Sequence, residues 1–262
     1  SALQKLGFAM QEVVRHQLSI VFEDDNTLIR DLEMHQAFLL HLEICLWSGN
    51  SRKIEICESF RQPLITMLRR GGRFHKTGYP VVTVHPTDTG QILEDKWRAW
   101  ARQESHKRLV YHMWRHDTQS SMVLLASPLM SYAEMSIPLP SSPALWNAND
   151  AEQWKKLYCA QQAGLSYPSP LPTLTECVLN MDLLETRRAM VDMSISCTAV
   201  LCALWGMIWE YRQMNLLISG SDSGTILAPS RSWHSGLLMA SRYQQLTELL
   251  DYFGIGYRSE GE

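Results

Sequence analysis

Apolar side chains recur at three- and four-residue steps over the opening part of the chain, which is the pattern of amphipathic helices. The first stripe ends near Asp25, which can cap the helix that follows, as can Asn26. The second stripe stops at the turn 48–50, where Gly49 suits the left-handed backbone that follows a helix end. The apolar positions of the two stripes are Leu3, Leu6, Met10, Val13, Val14, Leu18 and Val21, then Leu28, Leu32, His35, Leu39, Leu42 and Leu46.

A third helix is predicted to begin at Asn50 or Ser51 and to close at the run 69–72, whose two arginines suit the negative end of a helix dipole. Pro63 lies inside this pattern and predicts a kink or a break, because proline removes one helical hydrogen bond. From 73 to 90 the composition changes to Gly, Pro, Thr and His. This stretch is interpreted as a long surface loop.

Helix-start signals continue in the second half of the chain. Three pairs of residues have the spacing of N-terminal caps: Ser142 with Pro143, Asp150 with Gln153, and Thr173 with Glu176. A long apolar helix is predicted from about Asp192 to Leu217, and a Ser/Gly-rich loop from Ile218 to Trp233. A last helix is expected over Leu237–Phe253, stopped by Gly254.

The fold class follows from the near absence of strand-like alternation and of any repeat of fixed period. We predict an all-α protein, built as a single large multi-helix array of antiparallel helical hairpins. The expected organisation is one helical domain over 1–262. Its parts are the opening helical hairpins (1–72), the loop (73–90), a central region (91–166) and C-terminal helices (167–262).

Composition and charge limit the classes of function that the chain can have. With 262 residues and 45% hydrophobic content the chain can bury a substantial core. The net charge of -3 and the scattered Lys and Arg lack the footprint of a nucleic-acid-binding surface. Nine tryptophans and thirteen methionines suit a helical core, and also an adaptable apolar pocket or partner surface.

Membrane and disulfide signals are weak. The stretch Ser1–Met10 lacks the pattern of a signal peptide, and the apolar run Ala199–Trp209 is too short to span a bilayer, so a core helix and no membrane partner are expected. The six cysteines form no Cys-x-x-Cys pair and no zinc-finger comb. They are interpreted as buried reduced thiols of a cytosolic or nuclear protein.

The central stretch Trp97–Trp146 concentrates aromatic and charged residues. Glu104 precedes Arg108 by one helical turn, the favourable order for an ion pair. Among aromatic neighbours this pair is expected to be half-buried and to fix geometry rather than to catalyse. Asp117 is expected to cap a helix that begins near Thr118.

Two clusters suggest other chemistry. His112 and His116 stand one turn apart, as metal-binding histidines do, but no Glu lies between them and Arg115 would repel a cation. Asp24 and Asp25 could hold magnesium for diphosphate ionisation, as in terpene synthases, although Asn26, Thr27 and Leu28 follow where a further carboxylate is expected. A helical magnesium-dependent enzyme acting on a prenyl diphosphate-like substrate is therefore the alternative function.

The order of several motifs resembles one known family, the fungal-specific transcription factor domain, or middle homology region, of fungal zinc-cluster and Cys/His zinc-finger regulators. The opening segment Met34–Gly72 resembles that family's first helical hairpin. The resemblance is strongest over Leu28–Trp154. The residues that carry its signature are Trp97, Trp100, Glu104, Arg108, Tyr111, Asp117, Glu134, Pro138, Pro140, Trp146 and Trp154.

The resemblance implies a nuclear, all-α regulatory domain of a transcription factor, without catalytic, cofactor-binding or metal-binding residues of its own. Zinc and DNA contacts would belong to a separate DNA-binding module outside this segment. The expected partners are other proteins, a second copy in a homodimer, or a small-molecule effector. Lys107 departs from the family's pattern, in which arginine is frequent at that position, but Arg108 still supplies a partner for Glu104.

Overall fold

The protein is mostly helical over the part of the chain that the computed structural model describes, residues 2–162, 170–220 and 229–258. Over these ranges the backbone forms no β-strand, only isolated bridges. The predicted all-α class is confirmed. The helices are α1 (Ala2–Asp24), α2 (Leu32–Leu46), α3 (Ser51–Arg70), α4 (Gly90–Leu124), α5 (Pro143–Trp146), α6 (Ala151–Gln162), α7 (Leu174–Leu179), α8 (Asp182–Thr186), α9 (Met193–Gly220) and α10 (Pro229–Arg258).

Polar caps set the boundaries of the opening helices. Asp25 caps a 3-10 helix, Asp31 caps α2 and Asn50 caps α3, and each side chain accepts a hydrogen bond from a backbone N–H two or three residues on. Gly49 has φ +68°, the left-handed backbone predicted for it. The short turn between α2 and α3 lets the two helices pack against each other as a hairpin.

Helix α3 is not split at Pro63, contrary to one of the two outcomes predicted for that residue. Pro63 lies on the exposed face, where water can bond the carbonyl that loses its helical partner. On the opposite face Leu64, Ile65 and Leu68 are fully buried. Core packing therefore outweighs the missing hydrogen bond.

Helix α4 runs for 35 residues and passes through Asp117 without interruption. The prediction that Asp117 caps a new helix at Thr118 is wrong. The helix ends at Leu124, and Leu125 adopts a left-handed backbone with φ +50°. The polar pattern around Asp117 belongs to a buried part of the same helix rather than to a helix boundary.

The segment 73–90 is only partly the surface loop that was predicted. It contains a 3-10 helix, Lys76–Gly78, and buries the aromatic rings of Phe74 and Tyr79. The Tyr79 hydroxyl donates to the Arg73 carbonyl at 2.8 Å. These apolar side chains had no periodic neighbours in the sequence, so their burial did not show in the pattern.

The three predicted caps of the second half are confirmed. Ser142 precedes Pro143 and its hydroxyl accepts from a backbone N–H of α5. Asp150 accepts a hydrogen bond from the backbone N–H of Gln153 at 2.7 Å. Thr173 and Glu176 form the reciprocal capping box of α7.

The chain divides into two compact units, Ser1–Val200 and Leu201–Glu262. The first holds α1–α8 and the start of α9, and the second holds the rest of α9 and α10. Helix α10 continues past Gly254, contrary to prediction, because this glycine lacks the positive φ of a helix stop. The two ends of the predicted loop 218–233 are helical, since α9 extends to Gly220 and α10 begins at Pro229; residues 221–228 lie outside the described ranges.

The apolar run predicted to be too short for a bilayer lies within a longer helix. By length and composition alone, Met193–Leu217 would suffice to cross a membrane. Core helices of water-soluble proteins meet the same criterion. Several side chains in the first half of this segment are buried, among them Ala199, Val200 and Ala203.

Two cysteines depart from the predicted reduced state. Cys45 of α2 and Cys57 of α3 are joined as a disulfide. No sequence pattern indicated this pair, because the partners lie on different helices that only the hairpin brings together. Cys159 is half-buried and Cys177 is fully buried, and neither takes part in a disulfide.

Candidate functional site

Glu104 lies at the centre of the signature residues, on the inner face of α4. Its side chain is 1% exposed. The carboxylate accepts from Lys107 Nζ at 2.7 Å, from Arg108 Nε at 3.2 Å, and from the backbone N–H and hydroxyl of Ser141 at 2.8 and 3.1 Å. Four donors around one carboxylate offset much of the free energy lost when its charge leaves water.

Arg108 extends this contact to two further parts of the chain. Its Nη1 lies 3.1 Å from Oδ2 of Asp192, just before α9, and its Nη2 donates to the Ser141 carbonyl at 2.8 Å. The guanidinium also stacks over the Trp146 ring at 4.7 Å from its centroid. One side chain therefore fastens α4 to α5 and to the start of α9.

Tyr111 contacts the proline elbow that follows α4. Its hydroxyl lies 3.2 Å from the Ile137 carbonyl and 3.3 Å from that of Pro138, and can donate to either. Pro138 and Pro140 are both buried, and the Pro140 carbonyl accepts from the backbone N–H of Asp192 at 2.9 Å. Burial raises the pKa of Tyr111 well above its usual value, so this hydroxyl stays neutral.

The signature tryptophans form one cluster between α4, α5 and α6. The Trp100 ring lies 5.5 Å from that of Trp154 and 6.4 Å from that of Trp146, in tilted geometry. Trp154 is fully buried, and Trp97 packs against the cluster from its partly exposed edge. The cluster fixes the position of α6 against α4.

Asp117 has partners far away in the sequence. Its Oδ1 lies 3.3 Å from Arg61 Nη1 of α3, and its Oδ2 accepts from the backbone N–H groups of Leu129 and Met130 at 2.8 and 2.9 Å. Burial raises the pKa of Asp117, against the opposing effect of the Met130 hydrogen bond and the Arg61 charge. The carboxylate links α3, α4 and the chain that follows α4.

Glu134 forms a second long-range ion pair with α3. It is bidentate to Arg69, whose Nε and Nη2 lie 2.7 and 2.8 Å from its two oxygens. Burial opposes ionisation of Glu134, but the Arg69 hydrogen bonds and the Ser131 N–H bring its pKa below the ordinary value. This geometry gives a specific orientation as well as attraction.

These contacts favour an architectural role for the signature. Each of its three carboxylates, Glu104, Asp117 and Glu134, already has an arginine partner and at least one backbone N–H donor. A general base needs a carboxylate whose oxygen can reach a substrate proton. The arrangement therefore positions helices relative to one another.

The helical histidine pair is not arranged as a metal site. His112 is exposed and its Nε2 lies 2.6 Å from Arg115 Nη2, where a cation would have to bind. His116 is buried, and its Nδ1 lies 3.4 Å from Oε1 of Glu43 on α2. The two imidazole rings therefore lie in different environments, one exposed and one buried.

Asp24 and Asp25, the residues of the alternative enzyme, are exposed at the end of α1. One Asp25 oxygen accepts from the backbone N–H and the hydroxyl of Thr27, at 2.9 and 2.7 Å. These hydrogen bonds, the hydroxyl first, lower the pKa of Asp25. Its contacts are those of a helix cap.

A large apolar cavity opens among α1, α2 and α3. Its volume is about 480 Å³, within the usual range of small-molecule sites. Phe60 and Pro63 of α3 line it together with Leu18 and Phe22 of α1. The lining residues are Arg15, Leu18, Ser19, Phe22, Ile29, Phe38, His41, Phe60, Gln62, Pro63, Thr66 and Met67.

Sequence reasoning missed one group beside this cavity. His41, Cys45 and Cys57 are all buried, and their nitrogen and sulfur atoms lie within 4.8 Å of one another. The one-turn spacing of His41 and Cys45 on α2 was a signal that could have been noticed. The third member could not be assigned before the α2–α3 hairpin was known.

Comparison with known families decides the identity of the fold. The sequence profile described as the fungal specific transcription factor domain matches residues 7–182. The chain belongs to this family. The matched residues include the opening hairpins, the whole of α4 and the chain from there to the beginning of α8.

Individual relatives of this family member are fungal regulators. It is similar to Transcription factor 1 of Elsinoe fawcettii, with 27% identity over 85% of the chain and 24% of that protein. It is also 28% identical to Transcription factor PfmaH of Pestalotiopsis fici, over 74% of the chain and 20% of that protein. The chain thus spans about a quarter or less of the relatives it matches. No solved structure matches it.

Proposed function

We propose that this domain regulates a DNA-binding zinc-finger module within a nuclear transcription factor. Membership of the family supports this role, as do two Schizosaccharomyces pombe relatives named as zinc finger proteins. With a net charge of -3 the chain is poorly suited to hold DNA itself. DNA contacts, with the zinc ions of the DNA-binding fingers, are therefore assigned to the separate module, and the role of this domain is regulatory rather than catalytic.

The cavity among α1–α3 is the observation that carries this proposal. The surface of its walls is mostly apolar, and its charged lining residue, Arg15, already pairs with Glu12 at 2.9 Å, which suits an apolar effector. Filling the cavity would join α1 more firmly to the α2–α3 hairpin. Ligand binding to the folded form alone stabilises it, so an effector can act on the attached module through this packing.

A protein partner or a second copy of the chain is supported by a different surface. On the outer side of α2, Leu40, Ile44 and Trp47 are 63%, 45% and 59% exposed and lie at four- and three-residue steps. A contiguous apolar stripe of this kind is typical of an interaction surface. It would serve contacts of the regulatory domain, including a homodimer contact.

The test attaches the chain to a DNA-binding module of known target and measures a reporter gene. Ser19→Trp places a large ring at the mouth of the cavity, whereas Gln17→Trp puts the same ring on an exposed site of α1 that does not line it. We expect the first variant to change reporter output at least threefold and the second to leave it near the parent value.

The cavity itself is probed with anilinonaphthalene sulfonate, an apolar anion. Its fluorescence enhancement should fall in Ser19→Trp and persist in Gln17→Trp. Equal binding and equal reporter output in both variants would count against regulation through this cavity. Equal reporter output with and without the attached domain would contradict the regulatory proposal altogether.

A further inference from the structure

The buried group His41, Cys45 and Cys57 has the composition of a metal site for a thiophilic cation. Thiolate and imidazole ligands select zinc, among the common ions of the cell. We propose that reduction of the Cys45–Cys57 disulfide creates a zinc site, with the two sulfur atoms and His41 Nε2 as its protein ligands. This inference is independent of the proposed regulatory function.

The distances from the imidazole fit shared coordination. His41 Nε2 lies 3.6 Å from Cys57 Sγ and 3.9 Å from Cys45 Sγ. Ordinary zinc–sulfur and zinc–nitrogen bonds at a tetrahedral angle place nitrogen and sulfur about 3.6 Å apart. The imidazole is therefore already at coordination distance from both sulfur positions.

Only small movements of the cysteines are needed. Two sulfur atoms on one tetrahedral zinc lie about 3.8 Å apart, so the bonded pair must separate after reduction. The Cα atoms are 6.0 Å apart on two packed helices, and side-chain rotation can supply that separation. The backbone of α2 and α3 can stay in place.

Charge favours zinc in this interior position. His41, Cys45 and Cys57 are 2%, 1% and 3% exposed, so a net charge here would be costly. Two thiolates and a neutral imidazole around Zn²⁺ give a neutral complex. The fourth position would be left to a water molecule, as in open zinc sites, on the side of the cavity that His41 also lines.

Gln11 of α1 lies directly against the proposed ligands. Its amide nitrogen donates to Cys45 Sγ at 2.6 Å and lies 3.3 Å from His41 Nδ1, and its amide oxygen accepts from Lys53 Nζ at 2.6 Å. An N–H group that donates to a metal-bound thiolate fixes the orientation of that ligand. Lys53 also pairs with Glu12 at 3.4 Å.

The chemistry balances with a dithiol as reductant. The dithiol gives two electrons and two protons to the Cys45–Cys57 disulfide, whose S–S bond breaks, and becomes a cyclic disulfide itself. Zinc binding then forms two Zn–S bonds and releases the two thiol protons. No other oxidant or reductant takes part.

The test uses the full chain, reduced with a dithiol, desalted without oxygen and titrated with Co²⁺ as a visible stand-in for zinc. We expect one Co²⁺ per chain, with a thiolate-to-cobalt charge-transfer band that Zn²⁺ abolishes by displacement. The untreated, disulfide-bonded chain should show no such band. A reduced chain without the band, or an oxidised chain with an equal one, overturns the proposal.

Variants assign the ligands. Cys57→Ala and His41→Ala should weaken Co²⁺ binding at least tenfold, whereas Cys159→Ala, a half-buried cysteine outside the group, should bind as the parent does. If Cys57→Ala and Cys159→Ala titrate alike, the site is not the one proposed.

A measurement on the parent chain guards against variants that fail to fold. Zn²⁺ should slow alkylation of Cys45 and Cys57 at least tenfold in peptide mass spectra and leave the rate at Cys159 unchanged. Equal protection of all three cysteines from alkylation, or protection of none of them, contradicts the assignment of the zinc ligands.

Discussion

Arg61 of α3 and Asp117 of α4 form an ion pair across 56 positions of sequence, with Nη1 and Oδ1 3.3 Å apart and side chains only 4% and 1% exposed. The same carboxylate accepts hydrogen bonds from the backbone N–H groups of Leu129 and Met130. Removing one member of a buried pair leaves the other charge without its partner, which is more costly than losing a surface contact.

Asp117→Ala should therefore lower the free energy of unfolding by about 3–5 kcal/mol. Asp117→Asn should cost less, because its amide oxygen can still accept from Met130. Urea denaturation monitored by circular dichroism measures both. Asp95→Ala, an exposed site on the same helix, is the control and should change stability by about 0.5 kcal/mol or less. A loss for Asp117→Ala no larger than that of the control would show that the pair contributes little.

Glu104→Ala leaves Lys107 and Arg108 without their shared carboxylate and removes the acceptor of Ser141. The expected loss is again about 3–5 kcal/mol. The matched control is Glu94→Ala, which breaks the pair with Arg98, a side chain 72% exposed, and should cost under about 1 kcal/mol. If both variants unfold at the same urea concentration as the parent, Glu104 is not an organising residue.

The tryptophan cluster should respond to truncation at its buried centre. Trp154→Ala opens a cavity against Trp100 and should destabilise the protein by about 3–5 kcal/mol. Trp47→Ala, at a site that is 59% exposed, should cost about 1 kcal/mol or less. Thermal melts of the two variants in parallel test this difference, and equal melting temperatures would contradict it.

Stability should fall as the solution is acidified, because buried histidines stay neutral in the fold. Burial lowers the pKa of His106 from 6.5 to about 4, and burial also lowers that of His35. In the unfolded chain His106 becomes protonated below about pH 6.5, whereas in the folded protein it stays neutral until about pH 4. His106 therefore reduces stability by up to about 1.4 kcal/mol per pH unit across that window, and His35 contributes in the same direction.

His106→Phe should make this pH dependence shallower without abolishing it, since His35 remains. The measurement is a series of urea titrations between neutral pH and the acid limit of folding. A variant whose stability falls with the same slope as the parent would show that His106 does not titrate as described.

The magnesium-dependent alternative gives a separate expectation. Asp25 is engaged in a cap with Thr27, and the acidic pair is exposed, so Mg²⁺ with pyrophosphate should not raise the melting temperature of the chain. Thermal-shift titration with each alone and with both together tests this point. Stabilisation seen only with both, and lost in Asp24→Asn, would favour the enzyme.

Local patterns determined the helices and most of their ends. Apolar periodicity and nearby caps such as Asn50 or Thr173 act within one or two turns, so their physics is contained in a few consecutive residues. The motif order of the α4 signature also indicated the family. Pro63 does not split α3 and Gly254 does not end α10, because packing and the actual backbone angle override average preference.

Tertiary structure alone decided which side chains meet. Arg108 reaches Asp192 across 84 positions, and Asp117 finds Arg61 rather than a helix start. Likewise His41, Cys45 and Cys57 gather only once α2 and α3 pack. Hydrogen bonds and ion pairs depend on distances of a few ångströms between helices, and the one-dimensional pattern fixes which face of a helix is buried but not which residue lies opposite.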